Sequence, residues 1–228
     1  MSDHSNQDLT SPQVPTISLP LIAIPHVISP SMANSLLSDL LPRVTHSYPA
    51  VRKKTIATLY RLALVYPETL RPAWPKIKDR LLDDTEDPSV TAAVINVVCE
   101  LGSRRPQDFL PLAPRLFELL VGSTNNWMAI KIVKLVIPST PQGLTPFNSY
   151  QFATLTPLEP RLVKKLLAPL TTIIKETSAM SLLYECIHGI IQGGILETAE
   201  GTKEGDEIAR LCLGKLRGML VVEGDPNC

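Results

Sequence analysis

Between Asp87 and Gly102, Val90, Val94, Val97, Val98 and Leu101 fall at i, i+4, i+7, i+8 and i+11. That spacing draws one apolar stripe down a helix of 3.6 residues per turn. The flanking residues agree with it. Asp87 suits the cap, Pro88 the first helical position, where its missing N–H costs nothing, and Gly102 the left-handed residue that ends a helix. Similar stripes predict a helix from Met32 to about Val44, opened by Pro30-Ser31 and bent or shortened by Pro42, and another from Pro49 to Val65. Residues 68–82 carry Leu70, Trp74, Ile77 and Leu81 in phase. Pro106 to Val121 carries Phe109, Leu112, Leu116, Phe117 and Leu120, and Asn125 to Leu135 carries Trp127, Ile130 and Val133. Further helices are expected from Pro157 or Pro160 to about Lys175, from Ser178 to Ile191 and from Asp206 to about Val221, the last with Ile208, Leu211, Cys212, Leu216 and Leu220 inward. The pattern therefore predicts about nine helices and no substantial sheet.

These elements repeat. Pro49 and Val51 precede Pro88 and Val90 by thirty-nine residues, and Pro67, Pro72, Pro75 and Leu81 precede Pro106, Pro111, Pro114 and Leu120 by the same offset. A period near forty with two helices per unit marks HEAT and armadillo arrays, whose units bury their stripes only against their neighbours. The expected fold is all-α, a HEAT/armadillo-type α-α superhelical solenoid. Ala113-Pro114 and Ser123 recur as Ala168-Pro169 and Ser178 at fifty-five residues, an excess of sixteen. The block Val136–Gln151 has that length, three prolines, no charge and no period, and reads as an inserted loop, 136–151. Residues 1–18 are rich in Ser, Thr, Pro and Gln and read as a disordered tail, leaving 19–228 as the helical-repeat region. The end, Gly224-Asp225-Pro226, repeats the Asp87-Pro88 signal, as if another helix should follow; the chain reads as part of a longer array.

Composition narrows the function. Lys+Arg and Asp+Glu are both 22, which opposes a nucleic-acid groove with its basic excess. The 21 prolines sit mainly between helices or at their starts. Cys99, Cys186, Cys212 and Cys228 form no CxxC pair, and the first three lie in helical patterns as buried thiols, which fits a reducing compartment such as the cytosol. The apolar run Ile17–Ile28 is too short and too proline-broken to span a bilayer, and residues 1–16 lack the Lys or Arg of a signal peptide.

No catalytic constellation is present. His4, His26, His46 and His188 are scattered, no phosphate-binding glycine loop or nucleophile elbow occurs, and Glu100, Glu118 and Glu185 have no matched carboxylate. No catalytic, cofactor-binding or metal-binding residue is therefore assigned. Basic clusters stand at Arg52-Lys53-Lys54, at Lys131/Lys134 and at Arg161/Lys164/Lys165. They read first as solvated faces and second as docking surfaces for an acidic partner or anionic headgroups. Trp74 and Trp127 fall in phase with core positions.

Several stretches resemble a known family. They are Pro49-Ala50-Val51-Arg52-Lys53-Lys54, Tyr66-Pro67-Glu68-Thr69-Leu70-Arg71-Pro72, Ala92 to Leu101, Asn125-Asn126-Trp127, Leu155-Thr156-Pro157-Leu158-Glu159-Pro160-Arg161-Leu162, and Ser178-Ala179-Met180-Ser181-Leu182-Leu183-Tyr184-Glu185-Cys186. Together they resemble the adaptin large subunits of vesicle-coat adaptors, from about Leu21 to Asn227; residues 1–18 and the block 136–151 have no counterpart there. The resemblance implies a non-enzymatic structural subunit with no cofactor. It would assemble with a second large (beta), a medium (mu) and a small (sigma) subunit and be recruited by a small GTPase. It would be cytoplasmic and peripheral on Golgi and endosomal membranes, selecting cargo for the vacuole or lysosome. The nearest other readings are a coatomer or nuclear-transport solenoid and, further off, a helical-repeat nucleic-acid binder.

Overall fold

The computed structural model describes residues 13–27, 29–102, 106–136, 160–192, 196 and 203–222. Among them no strand occurs. The helices are α1 (Val14–Val27), α2 (Pro30–Leu40), α3 (Pro49–Val65), α4 (Leu70–Leu82), α5 (Pro88–Gly102), α6 (Pro106–Phe109), α7 (Ala113–Gly122), α8 (Asn126–Val136), α9 (Pro160–Glu176), α10 (Met180–Gln192) and α11 (Lys203–Val222). Short 3-10 turns occupy Leu41–Thr45, Pro67–Thr69 and Leu110–Leu112. The chain divides into two compact units, Met1–Val98 and Cys99–Cys228.

In the first unit α3 is the central element. Val51, Ile56, Leu59 and Leu62 are buried, and so are the hydroxyl-bearing Thr55 and Thr58 between them. It packs against α1, α4 and the turn Leu41–Thr45. The α5 stripe is as its spacing predicts: Val90, Val94, Val97 and Val98 are buried, with Ile95 beside them. Asp87 caps α5, its Oδ1 accepting the Ser89 N–H at 2.9 Å and the Ser89 hydroxyl at 2.6 Å. In the second unit α8 packs against α10 and α7, and α10 against α9 and α11. Its core holds Leu116, Leu120, Ile132, Val133, Leu170, Ile174, Cys186, Ile187 and Ile190.

Several expectations need correction. The disordered tail does not extend to residue 18, because α1 starts at Val14 and Ile17, Leu21 and Ile24 lie buried on one face. Pro20 and Pro25 sit inside this helix. Pro25 lacks the N–H that would otherwise bond the Leu21 carbonyl one turn back. The Thr58 hydroxyl of α3 supplies a replacement, donating to that carbonyl at 2.7 Å while staying 2.9 Å from the Lys54 carbonyl. The single helix expected over 106–121 is split into α6, a 3-10 turn and α7, because Pro111 and Pro114 each remove a donor from the ladder. Val136 belongs to α8 and is buried, so it is no part of a loop; 137–151 lie outside the described residues. Leu220, expected inward, is exposed. Gly102 is not left-handed. A Cβ there would come within 2.9 Å of Leu135 Cδ1 and 3.5 Å of Phe109 Cγ, so a larger residue would have to displace the end of the Leu135 side chain.

Two outcomes follow for stability. Thr58→Val should cost about 1–2 kcal/mol, since the Leu21 carbonyl then has no donor. Thr55→Val should cost less, because the Thr55 hydroxyl bonds only the Val51 carbonyl of its own helix. Urea denaturation of both variants tests the order. Val94→Asp places an unpaired charge on a fully buried position and should lower stability by several kcal/mol, about 3 or more, read as a collapse of the thermal transition.

Candidate interaction surfaces

Arg52 enters from the first turn of α3, where Pro49 sets the helix start. Its Nη1 donates to the carbonyls of His46 at 2.6 Å and Ser47 at 3.0 Å, and its Nε to Glu86 Oε1 at 3.1 Å. Arg80 of α4 reaches the other oxygen of Glu86 at 3.3 Å and Asp83 at 3.4 Å. The Glu86 side chain is only 1% exposed. One buried carboxylate therefore ties the loop before α3 to the end of α4, and Arg52 is largely structural. In the sequence Glu86 closes the polar run Asp83-Asp84-Thr85-Glu86, and nothing local marks it for this role. The signal was available only in three dimensions, since Glu86 lies thirty-four residues from Arg52.

The turn carries two Asx motifs. Asp83 Oδ1 accepts from Thr85 N–H and Oγ1, and Asp87 accepts from Ser89 in the same way. These donors hold both carboxyls below the usual carboxylate range.

The Lys131/Lys134 cluster is also paired. Lys131 Nζ lies 2.7 Å from Glu100 Oε1 and 5.7 Å from the centre of the Trp127 ring; Lys134 Nζ lies 2.8 Å from Glu185. Trp127 is 48% exposed, so the core position expected for it is wrong: at the start of α8 it faces out, under Lys131. Trp74 is half-buried. Tyr184 is exposed and lies nearly parallel to His188, 5.6 Å away. Of the third cluster, the Arg161 and Lys164 side chains lie outside what is described, and Lys165 is exposed.

Among the described residues no group of three or more His, Cys, Asp or Glu is placed to hold a metal ion. Burial pushes the Cys99 and Cys186 thiols up to about 12, far from the thiolate that would react, and raises Cys212 as well. His4 and Cys228 lie outside the described residues. No described helix is long and apolar enough to cross a membrane. Two open grooves in the second unit flank α9. One, about 410 Å³, is bordered by Leu120, Asn126, Pro169, Ile173 and Glu176, and the other, about 610 Å³, by Thr171, Lys175, Glu207, Arg210 and Leu211.

Residues 3–227 match the family described as Adaptin N terminal region, and the chain belongs to that family of helical-repeat proteins. The match takes in most of the residues read as a tail. Within the family the likeness is to one kind of subunit. The Schizosaccharomyces pombe protein named AP-3 complex subunit delta is 46% identical over 212 residues, covering 93% of this chain and 23% of that protein. A chain of the structure described as a homology model of the full-length AP-3 complex in an intermediate open conformation aligns at TM-score 0.70 and 32% identity, over 99% of this chain and 36% of that one. A computationally designed armadillo repeat protein for modular peptide recognition aligns at TM-score 0.54 and 14% identity, over 94% of this chain and 99% of its own, a likeness of fold alone. The fold is thus the all-α HEAT/armadillo-type solenoid. The chain spans under a quarter of the Schizosaccharomyces pombe relative.

Removing the buried carboxylate should be costly. Glu86→Gln leaves Arg52 and Arg80 without a full counter-charge and should lose about 3–5 kcal/mol. Glu100→Gln, at a site where the carboxylate is 42% exposed, should lose less than about 1 kcal/mol. Guanidinium denaturation separates the two. A pH effect is expected from His46, whose pKa is lowered below 6.5 by burial and then by Arg43 and Arg52. Below 6.5 the unfolded chain binds this proton more readily than the folded one, so stability should fall as pH drops through 6.5 toward the lowered folded value. His46→Gln should remove that slope in thermal melts between neutral and mildly acidic pH.

Proposed function

We propose that this chain forms part of the N-terminal solenoid of an adaptor-complex large subunit of the AP-3 delta kind. Its work would be structural: a vesicle-coat scaffold in protein transport from Golgi and endosomes toward the vacuole or lysosome. The observation that carries this reading is the 46% identity to AP-3 complex subunit delta across 93% of the chain. The sequence motifs support the same assignment, since Asn125-Asn126-Trp127 combined with the run Ser178 to Cys186 is most like the delta subunit. The partners would be the beta, mu and sigma subunits and a small GTPase, with peripheral membrane contact made through the complex and no nucleic acid. No residue is assigned a catalytic, cofactor or metal role. The block 137–151 would be a surface insertion between α8 and α9, dispensable for folding because it adds only loop-closure entropy.

Affinity isolation of the full gene product containing this chain, followed by mass spectrometry, tests the assembly. The expected result is co-purification of a second large, a medium and a small adaptor subunit in near-equal amounts. Isolation without any of them would remove the proposal. Deleting 137–151 should leave the melting temperature unchanged or raised; a large loss would show that the block is part of the core.

A further inference from the structure

Three helices begin behind a similar turn. Three residues before α8, the Ser123 hydroxyl oxygen accepts the N–H of Asn125 at 3.0 Å. Three residues before α10, the Thr177 hydroxyl oxygen accepts the N–H of Ala179 at 3.1 Å. Three residues before α3, the acceptor of the Tyr48 N–H is a ring nitrogen, Nδ1 of His46, at 3.1 Å. In each case a side chain bonds the backbone two residues on and orders the residue that precedes the helix. Tyr48 passes that order to α3, its carbonyl accepting the N–H of Val51 at 3.1 Å and of Arg52 at 3.3 Å. The acceptors are not chemically alike. A hydroxyl oxygen keeps its lone pairs across the neutral range. An imidazole nitrogen accepts only while it carries no proton, and in the imidazolium both ring nitrogens are donors. The Tyr48 contact therefore sets the proton of the neutral ring on Nε2, and protonation of Nδ1 would point two N–H groups at each other.

We propose that His46 is a proton-operated latch on the start of α3, holding the Tyr48 N–H while the imidazole is neutral and releasing it when Nδ1 is protonated. The surroundings confine the change to this turn. Arg52 Nη1 holds the carbonyls of His46 and Ser47, and Arg52 is itself bound to the buried Glu86, which Arg80 of α4 also engages. A guanidinium stays charged throughout the range in which an imidazole titrates, so this second hold stays closed. The charges that act on the His46 ring are those of Arg43, on the preceding turn, and Arg52, from α3; none from α2 or α4 is among them. Burial opposes protonation first, and the two guanidinium groups add to it, so the latch opens below 6.5. It frees the backbone N–H of Tyr48 and the contact between the two rings, 5.7 Å apart, at a residue that is 55% exposed. The latch lies within this chain and does not depend on the assembly reading.

The test is an NMR titration of the intact nitrogen-labelled chain from neutral to mildly acidic pH. At neutral pH the His46 ring should carry its proton on Nε2 and the Tyr48 amide should be protected from exchange. On acidification Nδ1 should take up a proton with a midpoint below 6.5. The Tyr48 amide resonance should move with the same midpoint, and its protection should fall about tenfold, the loss of one hydrogen bond. The amides of Asn125 and Ala179, which have hydroxyl acceptors, should not follow. His46→Asn supplies an oxygen that accepts the N–H two residues on and does not titrate, as in an Asx turn. In that variant the Tyr48 amide should stay protected and stop moving. A neutral ring with its proton on Nδ1, a Tyr48 amide that does not follow His46, or one that still titrates in His46→Asn overturns the proposal. If His46→Asn fails to fold by circular dichroism, the wild-type titration decides by itself.

Discussion

No helix in this chain can bury its apolar stripe by itself, and that constraint orders the rest. An isolated amphipathic helix of eleven to seventeen residues is marginal in water, so its stability comes from the neighbours that cover it. α3 shows the consequence most fully. It has buried residues toward α1, α4 and the turn Leu41–Thr45, and even its threonines lie inside. Burying hydroxyls and interrupted helices requires each polar group to find a partner. Thr58 meets that requirement for two elements at once, since its hydroxyl serves the Leu21 carbonyl that Pro25 leaves without a donor.

The charged residues divide along the same line. Glu86 is buried because two arginines from different helices converge on it, and its worth lies in what its removal would strand. Lys131 and Lys134 pair with partly exposed glutamates on neighbouring helices and fix side chains more than they add stability.

The period of thirty-nine, the Val90–Val98 stripe and the Asp87 cap were all visible in the sequence, because each depends on local spacing or local hydrogen bonds. The adaptin motifs were visible for the same reason, being contiguous. What escaped depended on distant residues. α1 was hidden because its prolines argue against a helix until Thr58 is known to replace the lost donor. Gly102 looked like a left-handed residue and instead keeps helical geometry at the end of α5, close to the Leu135 and Phe109 side chains. Trp127 is in phase with the α8 stripe yet opens the helix, where the neighbouring elements do not reach it, and Lys131 covers one face. Glu86 read as one more acid in a polar turn until Arg52 and Arg80 were brought to it.

The claim that these helices hold one another, and are not independently stable, is most directly tested by native-state amide hydrogen exchange across Pro49–Val65 and its neighbours. The amides of α3 and α4 should be the best protected of the first unit. They should open together, with one common free energy and one common denaturant dependence. Exchange of α3 helix by helix, at rates expected of an isolated peptide and unaffected by Glu86→Gln or Thr58→Val, would contradict it.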